Sequence, residues 1–347
     1  MVAAGAKGIG GDISVRLSVE KGVVEGVAIT SSRPEKTARI FVGRSPEETT
    51  RTLGMLYSLC GRAQTIASLI AVEDALGLQV SQERMAARDI LRQAEMLSQT
   101  AMRICLDWPG LLELDEMPGL VKSCLEAEAL LENHLFGHGN WNKPGENGLA
   151  PDIAGVTSVI ENLQMNTKVI LKSDGLATDL RNVLTERNLD GFGAMSGEEK
   201  REDGAMKRQR NDVLVSEACR VHGVGLRARL EARLAELSSL PAQMLVAAGK
   251  LGSADTVFGS PASGGKGLSR VETVRGPLTH TVEIENGFIK SYEIHAPTDN
   301  NFSPEGPVVL GLKGVESSDV QDLARAAKLH ITAIDPCVLC TLEIEHA

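Results

Sequence analysis

The feature that most constrains this chain is a long series of helical patterns between two strand-rich ends. After residue 45, apolar side chains recur every three or four positions up to about residue 76. SPEE opens this segment, with Ser45 as the cap, Pro46 at the first helical position and Glu48 three residues after the cap. The pattern predicts one long helix that carries Cys60 on its inward face. Further helices are predicted at about 81–106, 118–135, 151–163, 175–188, 212–238 and 317–328.

Strand patterns lie on both sides of the helical series. Residues 13–30 alternate apolar and polar positions around Lys21-Gly22, and a second alternating stretch surrounds Asn286-Gly287, a strong hairpin signal. A final strand is expected before the terminal cysteines. Aromatic residues make up only 3% of the chain, which favours a core of packed aliphatic helices.

The predicted fold class is therefore α+β, a central long-helix bundle flanked by N- and C-terminal β-hairpins. We expect one domain over residues 1–347. It comprises a β-hairpin region at 1–44, a helical region at 45–249 and a β-rich region at 250–347 that ends in the cysteine motif.

Charge and hydropathy exclude several function classes. The net charge of -10 argues against nucleic-acid binding, which needs a dominant basic surface. The basic run of Lys200, Arg201, Lys207, Arg208 and Arg210 is interleaved with acids and is interpreted as a solvated loop. The sequence contains no run of 18 apolar residues, so no membrane span is predicted. The amino terminus lacks a secretory pattern, and we expect a cytoplasmic protein.

Two thiols near the end, Cys337 and Cys340, form a C-x-x-C pair after Asp-Pro. A redox pair normally precedes a helix, and only seven residues follow Cys340. A structural zinc site needs more ligands, for which His134 and His138 have suitable spacing if one helix carries both. From the residues alone, redox exchange, zinc binding and core packing all stay open. The other thiols on helical patterns are expected in the core: Cys105, Cys124 and Cys219.

Three separated segments together resemble the large subunit of nickel-iron hydrogenases. GRSPEETTRTLGMLYSLCGRAQTIASLIAVEDALG resembles the helix with that family's first C-G-x-C motif. GLSRVETVRGPLTHTVEIENGFIKSYEIHAPTDNNFSP is similar to its E-A-P-R-G stretch, hairpin and P-T-x-W-N segment, and DPCVLC resembles its second cysteine motif. In that family, four thiolates from the two motifs hold nickel and iron.

The resemblance implies an incomplete metal site. Cys60, Cys337 and Cys340 match three of the four thiolates, whereas Ala63 stands where the other bridging cysteine belongs. Loss of a bridging soft ligand weakens both metals, so nickel binding is doubtful. Ala67 replaces a histidine of the kind that orients metal ligands.

Other positions point to iron with diatomic ligands. By the resemblance, Arg275 matches an arginine beside those ligands, and Pro297 and Thr298 match the pair that surrounds a cyanide. By the resemblance, the family's proton-passing glutamate aligns with GGDISVRL, and this segment contains no glutamate. Glu343 stands at the position of the family's processing histidine, and four residues follow it, so no cleavable tail is expected.

These features resemble hydrogenase expression and formation proteins of the HupK and HoxV type. The resemblance implies an accessory protein, not an enzyme, that carries an Fe(CN)2(CO) unit transiently before its delivery to the hydrogenase large subunit. Its expected partners are that subunit and hydrogenase maturation chaperones. Two rival hypotheses are a cofactor-free regulatory module that mimics the immature subunit and a small hydrogenase with an unusual site.

Overall fold

The computed structural model describes residues 11–32, 37–57, 59–137, 141–145, 148–195, 202–252, 257–258 and 264–346. Helices dominate the middle of the chain. In chain order they are α1 (Pro46–Leu56), α2 (Gly61–Leu76), α3 (Gln82–Met102), α4 (Trp108–Leu112), α5 (Pro118–Phe136), α6 (Ile153–Ile170), α7 (Leu176–Glu186), α8 (Ala205–Arg208), α9 (Val213–His222), α10 (Leu226–Ala248), α11 (Pro297–Asn301), α12 (Pro307–Leu312) and α13 (Val320–Ile334). A 3-10 helix spans Thr37–Phe41, and a π-helical turn, Arg103–Asp107, joins α3 to α4.

The strands form three small sheets. They are β1 (Asp12–Glu20), β2 (Val23–Ser31), β3 (Val80–Ser81), β4 (Val257–Phe258), β5 (Lys266–Thr273), β6 (Gly276–Glu285), β7 (Phe288–His295) and β8 (Leu339–His346). The sheet orders are β2-β1-β8, β3-β4 and β5-β6-β7.

The core is a bundle in which α10 packs on α3 and α6, and α5 packs between α3 and α6. Its buried side chains are almost all aliphatic, with Trp108 as a fully buried exception. The α+β architecture with a central helix bundle and two hairpins is thus confirmed. None of the described helices has the length and apolar character that a bilayer crossing requires.

Both predicted hairpins are present because their turns are encoded locally. Lys21 and Gly22 have φ values of 50° and 82°, and Asn286 and Gly287 have 53° and 82°. Positive φ at both central residues gives the turn type whose twist matches the flanking strands. The second hairpin continues a three-stranded sheet on which α2 packs.

The predicted final strand before the terminal cysteines is wrong. Helix α13 runs to Ile334, well beyond the predicted end at 328, and β8 begins only at Leu339. Strand β8 pairs in parallel with β1, so that Cys340 lies opposite Ile13. The limits of β8 depend on its pairing with β1, which lies at the other end of the sequence, and no local pattern encodes such a pairing.

The single helix predicted through residue 76 is also wrong. Helix α1 ends at Leu56 and α2 starts at Gly61, and Cys60 is the N-cap residue of α2, with φ -144° and ψ 36°. Gly54 and Gly61 meet where the helices contact: a Cβ built on Gly61 would lie 2.6 Å from the Gly54 carbonyl oxygen. The three-to-four-residue pattern continues through the break because both helices bury apolar faces.

Other helix limits differ in the same way. The pattern at 212–238 is interrupted between α9 and α10, where Gly223 has a φ of 71°. The basic run from Lys200 to Arg210 was interpreted as a solvated loop, and its first two residues, Lys200 and Arg201, lie outside the described residues. For Arg208 that interpretation is wrong, because its side chain pairs with Glu236 and Glu272 and is only 20% exposed.

The remaining predicted thiols and histidines have separate surroundings. Cys105 and Cys124 are buried in the main core, as expected, and Cys219 is half-buried at a smaller cluster. His134 lies near the end of α5 with its Nδ1 3.0 Å from Asp152 Oδ2, and His138 lies outside the described residues.

Candidate metal-unit site

The first candidate ligand, Cys60, is a half-buried residue at the break between α1 and α2. The pKa of its thiol is raised to about 12, chiefly by burial and then by the nearby Cys337, while Arg275 opposes the shift. The two thiols are therefore close enough for electrostatic interaction, although the sequence separates them by almost the whole chain. The fold brings these two predicted ligands together beside Arg275.

The second cysteine motif begins where α13 ends. Asp335 caps that helix in the left-handed region with φ 68°, Pro336 follows, and Cys337 comes next, before β8. Cys340, already inside β8, packs against the apolar cluster that contains Ile13. Burial raises the pKa of the Cys340 thiol to about 12. The structure thus brings Cys60 to Cys337, while Cys340 contacts the apolar cluster.

Arg275 lies in the tight turn between β5 and β6 and is 3% exposed. Its Nε and Nη2 donate to the carbonyl oxygen and Oδ1 of Asp335, each at 3.0 Å, and its Nη1 donates to Gln99 Oε1 at 2.8 Å. A guanidinium carries five N–H groups. Three are used in these bonds, so the side chain is fixed, and two N–H groups make no hydrogen bond to the described residues.

Asp335 is the buried centre of a cluster of three arginines. Arg103 Nε and Arg275 Nη2 contact its Oδ1 at 2.8 and 3.0 Å, and Arg233 Nη2 lies 3.6 Å from its Oδ2. Burial raises the pKa of this carboxyl, but the three guanidinium groups outweigh that effect and hold the pKa well below its usual range. Through its ion pairs, Asp335 therefore holds three elements together: α10, the π-helical turn and the β5–β6 turn. These contacts lie two residues before Cys337 in the sequence.

A second arginine supports the Arg275 turn from α8. Arg208 donates through Nη1 to the Thr273 carbonyl at 2.8 Å and through Nη2 to the Val274 carbonyl at 2.9 Å. Gly276, with φ 126°, follows Arg275, and a Cβ there would lie 2.6 Å from the Asp203 Cβ. The turn is thus closely enclosed by its neighbours.

Helix α11 packs on the other side of this turn and carries the predicted Pro297 and Thr298. A Cβ built on Gly276 would lie 3.1 Å from Pro297 Cβ, and Asn301 Nδ2 is 3.4 Å from the Arg275 carbonyl oxygen. Thr298 is 1% exposed, and its Oγ1 has no hydrogen-bond partner among the residues that the structure describes. A buried hydroxyl without a partner is costly, which suits a ligand that supplies one.

At the position of the missing thiol, Ala63 is 1% exposed and packs in the main core, as does Ala67. Glu95 Oε1 and Oε2 accept hydrogen bonds from the backbone N–H groups of Arg62 and Ala63 at 2.7 and 3.0 Å. Burial raises the pKa of Glu95 to about 7. Both carboxylate oxygens thus cap the start of α2, next to Cys60.

The donor set fits an iron unit in part. Two adjacent thiols supply soft ligands, and the free N–H groups of Arg275 and the hydroxyl of Thr298 supply donors for an anionic diatomic ligand. In the described part of the chain, no set of three or more His, Cys, Asp or Glu side chains is arranged for a metal ion. The three-cysteine ligand set thus stays a prediction, which for Cys340 requires a different side-chain position.

Sequence reasoning did not assign roles to several residues around the thiols. For Asp335, its place two residues before Cys337 is a usable signal. Gln99, Arg103 and Arg233 lie on ordinary helical patterns, and Arg208 lies in the charged run that was expected to be a solvated loop. Their convergence depends on long-range packing, which no local pattern encodes.

Comparisons with known proteins agree with this architecture. The chain is 26% identical to the hydrogenase expression/formation protein HupV of Azotobacter chroococcum mcd 1, over 97% of this chain and 99% of that protein. It is also 26% identical to HupK of Rhizobium leguminosarum bv. viciae, over 97% of each chain, and to HoxV of Cupriavidus necator, over 94% and 95%. No protein-family model matches the chain.

Solved structures show the fold. The [NiFeSe] hydrogenase of D. vulgaris Hildenborough in the reduced state superposes with a TM-score of 0.70 at 15% identity, over 92% of this chain and 94% of that one. The Dm. baculatum [NiFeSe] hydrogenase gives 0.72 at 15% identity with the same coverage. The chain therefore has the fold of the nickel-iron hydrogenase large subunit and is similar, over nearly its whole length, to the HupK, HupV and HoxV hydrogenase expression/formation proteins.

Proposed function

We propose that this chain is an accessory protein of nickel-iron hydrogenase formation that carries an Fe(CN)2(CO) unit before its delivery to the hydrogenase large subunit. The similarity to proteins named for hydrogenase expression and formation supports the accessory role. The carrier role is supported chiefly by one observation. Cys60 and Cys337 lie together beside a fixed Arg275 in a hydrogenase fold where Ala63 replaces the remaining thiol of the first motif.

The residues around the thiols have the chemistry that this cargo needs. Thiolates are soft ligands that suit iron, and Cys337 and Cys60 provide two of them. The remaining donors of Arg275 and the unpartnered Oγ1 of Thr298 suit the nitrogen of an iron-bound cyanide, with Pro297 closing the same side. The iron-bound cyanides are negatively charged acceptors, so a buried guanidinium favours them.

Release follows from the incomplete ligand set. Cys340 joins the site in this proposal only if its thiol leaves the apolar cluster that contains Ile13. Even then three thiolates are available, because Ala63 contributes a methyl group. A site with one soft ligand fewer binds the unit more weakly than a complete one, as a carrier requires. No catalytic residue is assigned.

The test is anaerobic purification of the chain from a hydrogenase-forming cell, followed by infrared spectroscopy and metal analysis. We expect cyanide and carbonyl bands together with iron, and loss of both in the Cys337→Ser and Cys60→Ser variants. Cys219→Ser is the matched control, because Cys219 is a half-buried thiol on α9 outside the candidate site. Bands absent from the wild-type protein, or unchanged in Cys337→Ser, contradict the proposal.

A second candidate function is a cofactor-free binding module that mimics the immature large subunit before maturation chaperones. The observation that favours it is the position of Cys340, whose thiol packs with apolar side chains. This candidate predicts metal-free protein that still purifies together with chaperones or the large subunit. Equal co-purification of wild type and a Cys60→Ser, Cys337→Ser double variant supports it over the carrier.

A further inference from the structure

A buried chain of hydrogen bonds leads from the protein interior to Cys60. Tyr292 Oη lies 2.9 Å from His280 Nδ1, and His280 Nε2 lies 3.0 Å from Gln64 Oε1. Gln64 Nε2 lies 3.7 Å from Cys60 Sγ. His280, Gln64 and Tyr292 are 0%, 3% and 4% exposed, so water does not replace these contacts. The three residues join β6, β7 and α2 behind the thiol.

The order of donors along this chain follows from the atoms that meet. Burial lowers the pKa of His280 to about 3, so its ring is neutral and carries one N–H. Gln64 Oε1 can only accept, so that N–H is on Nε2, and Nδ1 accepts from the Tyr292 hydroxyl. The amide of Gln64 then presents its N–H side to Cys60 Sγ.

An N–H directed at sulfur suits a thiolate. A thiolate is only an acceptor, and donors beside a ligand sulfur orient it and tune its bond to the metal. By the resemblance, the family has a histidine of this kind at the position of Ala67. The Ala67 side chain packs in the core and has no polar atom. Gln64 lies one turn after Cys60 and occupies the space beside the sulfur instead.

We propose that Gln64, held in one amide orientation by His280 and Tyr292, is a positioning residue that presents Cys60 as a metal-binding thiolate. This inference rests on the proposed function for its use of Cys60 as a ligand. His280 and Tyr292 act through Gln64 and do not touch the metal. Their role is to prevent the amide from turning its oxygen toward the sulfur.

The test uses full-length protein under anaerobic conditions and Co²⁺ alone as the probe. The affinity and the energy of the thiolate-to-cobalt absorption band are measured in wild type, Gln64→Met and Cys60→Ser. Gln64→Met keeps a side chain of similar length and removes the N–H. We expect a loss of affinity of about 10- to 100-fold, with a shifted absorption band. Tyr292→Phe, which keeps the ring and frees the His280 tautomer, is expected to shift the band in the same direction by less.

Gln93→Met is the matched control, because Gln93 is a 4% exposed glutamine on α3 whose amide donates to Asp89 Oδ2. An unchanged affinity and band in Gln64→Met overturn the inference. An equal loss in Gln93→Met also overturns it, since the effect is then one of general stability. If Cys60→Ser binds Co²⁺ like wild type, the role of Cys60 as a ligand in the proposed function fails. If Cys60→Ser loses binding and Gln64→Met does not, only the positioning role fails.

Discussion

Replacing Asp335 with asparagine removes a carboxylate that the buried Arg233 and Arg275 share with the half-buried Arg103. Asparagine keeps the size of the side chain and tolerates the left-handed backbone, which has φ 68° at this position. Two hydrogen bonds to Oδ1, from Arg103 and Arg275, lose the negative charge of their acceptor, which weakens each by about 1 kcal/mol. Arg233, 4% exposed in its side chain, also loses its anionic neighbour. Removal of one partner from a buried ionic cluster typically costs about 3–5 kcal/mol, and we expect a loss in that range.

Urea unfolding followed by circular dichroism measures this loss. With an m-value of about 3 kcal/mol/M, the midpoint of Asp335→Asn is expected about 1 to 2 M below wild type. Asp322→Asn is the control on the same helix, because Asp322 pairs with Arg325 at the surface and its loss should cost less than about 1 kcal/mol. Equal midpoints for Asp335→Asn and Asp322→Asn would refute the role assigned to the buried cluster.

The same carboxyl gives a pH dependence with a definite sign. Its pKa in the folded protein lies below its ordinary value of 3.8, because the arginines outweigh the effect of burial. Asp335 therefore contributes stability above about pH 4, and this contribution is lost as the pH falls further. The stability difference between wild type and Asp335→Asn should be constant from about pH 5 to 8 and shrink below about pH 4. A difference that grows on acidification contradicts this assignment.

Three further changes test separate parts of the structure. Ala63→Cys adds a thiol at the missing position, and we expect more iron to remain after desalting than in wild type, at a stability cost of about 1–3 kcal/mol for overpacking; equal retention contradicts the role of this position. Gly61→Ala places a Cβ 2.6 Å from the Gly54 carbonyl and should destabilise the fold measurably in urea, whereas Gly119→Ala, in open space on α5, should be neutral or stabilising by up to about 1 kcal/mol. Arg208→Gln frees two carbonyls beside the Arg275 turn and removes the ion pairs to the buried Glu236 and the half-exposed Glu272, so a drop in melting temperature with reduced iron content is expected; if neither measurement changes, the supporting role of Arg208 is contradicted.

Local chemistry explains which parts of the fold could be predicted from the sequence. Asn286-Gly287 fixes its own backbone, so the second hairpin is encoded within a few residues. The cap formed by Ser45, whose side chain accepts from the Glu48 N–H, is equally local. The break before α2 could not be predicted, because the apolar pattern runs through Cys60 without interruption. The close approach of Gly54 to Gly61 at the break is a contact that the pattern does not encode.

In the site, too, the locally encoded residues could be predicted and the long-range contacts could not. Its thiols could be located because they lie in short motifs, and resemblance supplied Arg275 and Thr298. Asp335 and its arginine partners could not be paired, because Arg103 and Asp335 are 232 positions apart in sequence. Nor could the packing of Cys340 against Ile13 be foreseen, since it depends on a parallel strand pair that joins the two ends of the described chain.

Transfer of the iron unit tests the carrier role most directly. The chain is isolated anaerobically with its unit labelled with an iron isotope, mixed with metal-free hydrogenase large subunit, and the two proteins are separated. We predict that the cyanide and carbonyl bands and the labelled iron move to the large subunit, and that Ala63→Cys slows this movement. Bands and label that stay with this chain at equilibrium would contradict a carrier and leave the fold without the cargo function proposed for Cys60 and Cys337.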